Sequence, residues 1–305
     1  MRILVSGSSG LIGSALVRVA RSEGDDVLRL VRREPRADDE VSWDPARGRG
    51  PNPAQLRDVG AVVNLAGAGI GDHRWTDAYK KQLVDSRVES TTLLANVIAA
   101  LDDKPQVFLS GSAVGFYGDT GDTAVDENSP VGKDFLADLA AAWEAATAPA
   151  SSAGIRTVLL RSGIALSTKG GALGKVLPLF RAGLGGRLGS GKQYLSWIAR
   201  PAHVAAIRFL LRTTTIDGPV NLTAPTPVTN AVYTKAIAAA VRRPAMFAVP
   251  PIALKLALGE FAETVLGGQR VLPNRLLAKG FEFGYATLGD ALVRLGYEQD
   301  DHWVD

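Results

Sequence analysis

The chain has 305 residues, 46% of them apolar and 21% charged, and a net charge of +3. This length and balance fit one large α/β unit or two interleaved domains with a sizeable core. The absence of cysteine excludes disulfides, thiolate nucleophiles and cysteine-bound metals, and His73, His203 and His302 are too scattered for a zinc site.

The predicted elements alternate from the start. Arg2–Ser6 reads as a strand, Leu11–Ser22 as a helix and Val27–Val31 as a second strand. Strand Ala61–Leu65, helix Ala78–Ala100, strand Val107–Ser110, helix Phe135–Ser152 and strand Thr157–Leu160 follow. Strands that are apolar along their length and separated by helices predict a parallel sheet covered on both faces. Right-handed crossovers make it a doubly wound Rossmann-type α/β fold, with its ligand crevice at the carboxyl ends of the strands. After Leu160 the texture changes: Gly170-Gly171 and Gly183–Gly191 break the pattern, Val220–Leu222 reads as a late strand, and prolines punctuate a more helical end. The expectation is an NAD(P)-binding domain over residues 1–165, with returning segments about 196–225. Residues 166–195 and 226–305 would form a smaller, mainly helical substrate cap.

Segment 2–17, RILVSGSSGLIGSALV, carries the strongest signal. A strand enters Gly7-x-x-Gly10-x-x-Gly13 and a helix starts there. Such glycines permit a tight turn and close approach to a pyrophosphate, and the helix start supplies free N–H groups. Gly7, Ser9, Gly10, Leu11, Ile12 and Gly13 are therefore cofactor-binding candidates. The second strand ends in Arg32 and Arg33, where an acidic residue would bind the ribose hydroxyls of NAD. Guanidinium groups suit a 2′-phosphate, so NADP is expected over NAD. The third strand ends VVNLAGAGI, placing Leu65, Ala66 and Gly67 beneath the adenosine-side ribose. Arg87 on the next helix is a candidate for the phosphates, and Ser110 at the end of the fourth predicted strand joins the set.

With these motifs together, the sequence resembles the extended and atypical short-chain dehydrogenase/reductase superfamily. It is most similar to the sugar-nucleotide-epimerase-like subgroup that ends in a domain of unknown function. SGSSGLIG, VVNLAGAGI, DSRVESTTLLA, SGSAVGFYGD, LLRSGIAL, LGSGKQYLSWI, GPVNLTAP and GGQRVLPNRLL carry the resemblance over nearly the whole chain. It implies a Rossmann fold with a C-terminal substrate cap. In typical members a Ser or Thr works with a Tyr-x-x-x-Lys on the following helix. Ser112 takes the serine position here, but Phe135 and Leu139 stand near the tyrosine and lysine positions. Neither can do that chemistry. In WIARPAHVAAI, Arg200 and Pro201 replace the acidic residue and histidine often found in extended members.

Ionising a tyrosine at pH 7 without a lysine partner costs roughly 4 kcal/mol. Reduction is less demanding than alcohol oxidation, because a neutral hydroxyl or water can supply the proton. Tyr117 is the expected proton donor, with Ser112 hydrogen-bonding a substrate carbonyl. Asp126-Glu127 and Lys80-Lys81 are read as solvated charges. Arg187, Lys192, Gln193 and the Gln269–Pro273 segment are candidates for a phosphorylated or carboxylated substrate.

The expected function is an NADP(H)-dependent oxidoreductase or epimerase-like enzyme acting on a small polar metabolite, as a monomer or homodimer. The alternative is a catalytically inactive NADP(H)-binding redox sensor. Nucleic-acid binding is not expected, since the basic residues lack aromatic interleaving. No leader precedes Ile3 and no apolar run approaches the ~20 residues of a membrane span, so the expected location is cytoplasmic.

Overall fold

The computed structural model describes residues 1–297; His302 lies outside the described residues. The chain divides into two compact units. The first comprises residues 1–116, 133–161 and 204–220, and the second 117–132, 162–203 and 221 onward.

The sheet contains β1 (Arg2–Ser6), β2 (Asp26–Val31), β3 (Glu40–Ser42), β4 (Ala61–Asn64), β5 (Val107–Ala113), β6 (Arg156–Ser162) and β7 (Gly218–Leu222). Their order is β7-β6-β5-β4-β1-β2-β3. Strands β1 and β2, β1 and β4, β2 and β3, and β4 and β5 pair in parallel. Strand order reverses at β1, the topological switch point where doubly wound sheets bind ligands.

Register explains the core. Leu4 lies opposite both Leu28 and Val62, and Val62 lies opposite Phe108. This row packs with Leu94, Ala95 and Ile98 of helix α2 (Asp77–Ala99) in one buried cluster. Side-chain alternation thus turns one face of four strands into a continuous apolar surface.

Helix α1 (Leu11–Ser22) has the predicted bounds. The predicted helix Phe135–Ser152 is instead two helices, α3 (Phe135–Ala145) and α4 (Ala148–Ser152). Pro149 has no N–H to continue the first helix, but it fits the opening turn of the second. Asp134 caps α3, its carboxylate accepting from the Ala137 N–H at 2.8 Å.

The second unit contains helices Gly171–Arg181, Asn230–Ala240, Pro251–Leu258, Phe261–Leu266, Asn274–Ala278 and Leu288–Tyr297. Short ladders accompany them, Gly186–Leu188 with Phe247–Val249 and Ala124–Val125 with Arg270–Val271 among them. Among the described residues, no helix is long and apolar enough to cross a membrane.

Candidate functional site

The turn after β1 is built by contacts that only glycine permits. Gly7 has φ +68°, and a Cβ there would lie 2.6 Å from the Leu65 carbonyl oxygen. A Cβ on Gly13 would lie 2.2 Å from the Gly7 carbonyl oxygen. The Gly10 N–H donates to that same carbonyl at 3.0 Å and closes the turn. Gly10 caps α1 without a side-chain acceptor, no acidic residue occupies the first turn, and Ser9 and Gly10 are exposed. Leu11 and Ile12 open the helix half-buried. The free N–H groups and the helix dipole favour an anion at this end.

At the end of β2 the two candidate arginines differ. Arg33 forms a bidentate pair with Glu40, both contacts 2.7 Å. The Arg33 guanidinium and the Arg36 N–H pull the Glu40 carboxyl down to about 2. Arg32 is exposed and has no ion pair among the described residues. Arg32 is thus the free cation of the pair, and Arg33 holds the following loop to the edge strand β3.

Beneath the end of β4 lies a buried polar chain. The Ser6 hydroxyl donates to Asn64 Oδ1, and Asn64 Nδ2 donates to the Thr91 hydroxyl at 2.8 Å. Trp143 Nε1 donates to the same hydroxyl at 2.9 Å. This chain links β1, β4, α2 and α3. Leu65 and Ala66 are half-buried above it, and Gly67 is exposed.

Arg87 does not reach outward. Its guanidinium donates to the Leu83 and Ala68 carbonyls at 3.1 and 2.8 Å and lies 5.1 Å from the Trp143 ring. Burial lowers it to about 10, which leaves it cationic at neutral pH. Gly67 gives it room: a Cβ there would sit 3.1 Å from Cζ of Arg87. The residue expected to meet phosphates instead fixes the loop that follows β4.

Strand β5 runs three residues past its predicted end, so Ser110 and Ser112 both lie within it. Ser110 is fully buried. Ser112 donates to Glu144 Oε1 at 2.7 Å. Glu144 is held by Arg161 through Nε at 2.8 Å and Nη2 at 2.9 Å, and Arg161 stacks 3.5 Å over the Phe116 ring. Arg161 and Glu144 side chains are only 5% and 10% exposed. This ion pair went unread in the sequence; an acid in AAAWEAA and an arginine directly after the apolar run Val158–Leu160 were its only signals.

Phe135 packs edge-on against Trp75, with the Lys80 ammonium 5.2 Å from its ring. Leu139 is buried with Tyr79 and Leu83. Lys80, expected to be solvated, therefore covers an aromatic face, while Lys81 pairs with Asp85 at 2.5 Å.

In the second unit the Tyr117 hydroxyl is buried and donates to Asn221 Oδ1 at 2.7 Å. Asn221 Nδ2 donates to the Leu272 carbonyl at 2.9 Å, and its N–H donates to Glu127 Oε1 at 3.0 Å. Glu127 is thus not a solvated acid: it is 5% exposed, and burial raises its carboxyl above the usual range. Asp126 accepts from Asn274 Nδ2 at 3.1 Å. Arg187 donates to the Ser190 carbonyl, Gln193 to the Leu188 carbonyl, and Arg270 to the Asp122 carbonyl. Lys192 is exposed.

His203, 2% exposed, lies 2.9 Å from the Ser162 hydroxyl through Nε2. Burial lowers it to about 4 from 6.5. Below pH 6.5 the unfolded chain takes up a proton that the folded one refuses until about pH 4. His203 therefore contributes stability that is fully present above pH 6.5 and lost as pH falls to about 4, a loss of about 3 kcal/mol. Urea midpoints at pH 7 and pH 4.5 should diverge less in His203→Gln than in the native chain. An equal divergence would assign the acid sensitivity to other groups.

A parallel sheet whose strand order reverses at a glycine turn and helix start defines a Rossmann-type dinucleotide-binding protein. The chain belongs to the NAD dependent epimerase/dehydratase family, whose profile matches residues 3–222. A domain of unknown function, DUF1731, matches residues 249–295. The epimerase family protein Mb2239 of Mycobacterium bovis is 47% identical over 95% of this chain and 96% of its own. The crystal structure of human epimerase family protein SDR39U1 with NADPH superposes with a TM-score of 0.90 at 33% identity, covering 97% of this chain and 99% of that one. A nucleoside-diphosphate sugar epimerase from Corynebacterium glutamicum gives a TM-score of 0.81 at 36% identity, over 97% of this chain and 58% of that one.

Proposed function

We propose that this chain binds NADP(H) and acts as an oxidoreductase or epimerase-like enzyme on a small polar metabolite. The observation that carries the cofactor reading is Arg32, an exposed guanidinium at the end of β2, beside the glycine turn, with no ion pair among the described residues. The similar human protein crystallised with NADPH supports it. The residues present fit the group. Gly7, Ser9, Gly10, Leu11, Ile12 and Gly13 would hold the pyrophosphate, Arg32 the 2′-phosphate, and Leu65–Gly67 the adenosine-side ribose. Arg33, Arg87 and Ser110 would keep those loops and strands in place. A bound nicotinamide supplies hydride transfer. Ser112 would orient the substrate, and Tyr117, with its proton committed to Asn221, would shape the second unit rather than donate.

Arg32→Ala is the test. A charge-assisted hydrogen bond contributes about 1.5 kcal/mol or more, so NADPH affinity should fall about tenfold while NADH affinity holds. Fluorescence titration reads both. An unchanged NADPH-to-NADH ratio would remove the 2′-phosphate from Arg32.

The buried Leu139 supports a second reading, a redox sensor without turnover. Saturable NADPH binding with no absorbance loss across a broad carbonyl panel would favour it; NADPH consumption would favour the enzyme.

A further inference from the structure

Ser112 has one hydroxyl hydrogen, and the structure commits it. The Oγ–Oε1 distance of 2.7 Å joins it to Glu144, whose carboxylate, engaged by two nitrogens of Arg161, has only acceptors to offer. The direction of this hydrogen bond follows: Ser112 donates and Glu144 accepts. The bond is also charge-assisted, about twice as strong as a neutral one, so a ligand carbonyl competes poorly for the same hydrogen. The ion pair is itself locked. Arg161 is bound at two points to Glu144 and covered by Phe116 at 3.5 Å. What Ser112 Oγ retains is lone pairs.

We propose that Glu144, fixed by Arg161, is a positioning residue that turns Ser112 into a hydrogen-bond acceptor, so that this position selects a hydroxyl on the bound molecule rather than a carbonyl. This replaces the expectation that Ser112 donates to a substrate carbonyl. The proposal rests on the reading above only in placing Ser112 beside the ligand, and it requires no particular cofactor.

The test uses two small fluorinated probes and 19F NMR titration of the full chain, with and without saturating NADP⁺. Trifluoroethanol offers an O–H donor; N,N-dimethyltrifluoroacetamide offers only a carbonyl acceptor. The native protein should bind the alcohol at least tenfold more tightly, and Ser112→Ala should abolish that preference. Glu144→Gln, close in size but uncharged, should lose most of it while retaining the native circular dichroism spectrum. Equal binding of the two probes, preference for the amide, no binding of either, or a Glu144→Gln protein with the native preference would each overturn the proposal. Should Glu144→Gln fail to fold, the native and Ser112→Ala titrations still decide. NADPH fluorescence in the samples without NADP⁺ separates the two readings: absent NADPH binding refutes the cofactor assignment, while an alcohol preference sensitive to Ser112 upholds the acceptor role regardless.

Discussion

Gly13→Ala is expected to lose both the nucleotide turn and a measurable part of the fold. The added methyl would meet the Gly7 carbonyl oxygen at 2.2 Å, the Gly7 carbonyl carbon at 2.8 Å and Ser8 Cα at 3.0 Å. All three are backbone atoms, so no side-chain rotation relieves the clash. Gly7 cannot retreat either, being held in its left-handed conformation close to the Leu65 carbonyl. Overpacking of this kind costs about 1–3 kcal/mol. NADPH affinity should fall by at least tenfold because helix α1 must move away from the strand. Thermal unfolding and fluorescence titration read the two effects. Gly289→Ala is the control: nothing lies within 4 Å of its added carbon, and the helix should gain up to about 1 kcal/mol. Full NADPH affinity in Gly13→Ala would show that the turn opens without consequence.

Arg161→Met is expected to be the most damaging single change away from the glycine turn. It leaves the Glu144 carboxylate enclosed with the Ser112 hydroxyl as its remaining donor among the described residues. Breaking a buried pair from one side costs about 3–5 kcal/mol, far more than the pair itself contributes. Adding Glu144→Leu should restore most of that loss, since an apolar pair has no charge to desolvate. Denaturant unfolding of the two single variants and the double variant gives the coupling. Additive losses would mean that Glu144 finds solvent once Arg161 is gone.

The parts of this molecule written in local pattern were legible. Strand β1 and helix α1 have their predicted bounds because an unbroken apolar run meets glycines at a spacing that permits one geometry. The parallel sheet follows from strands buried on both faces, which have no polar alternation. Strand β3 was missed: three residues, one of them Glu40, carry too little pattern. The break between α3 and α4 was present as Pro149 but was outvoted by the alanines around it. Side-chain partners were the least legible. Glu144 and Arg161 are 17 residues apart and Tyr117 and Asn221 are 104 apart, and in each pair the contact exists only after the elements have been placed. The same holds for Arg33, whose fork reads as phosphate-binding until Glu40 is seen to occupy it.

Helix α3 sets a limit on redesign. Grafting tyrosine at Phe135 and lysine at Leu139 would not by itself make a working Tyr–Lys pair. The new ammonium would enter a buried, largely apolar cluster beside Tyr79 and Leu83. Burying that charge would cost several kcal/mol, or the amine would shed its proton and lose its purpose. A working base on α3 would therefore require repacking of the residues around position 139 as well as the two substitutions.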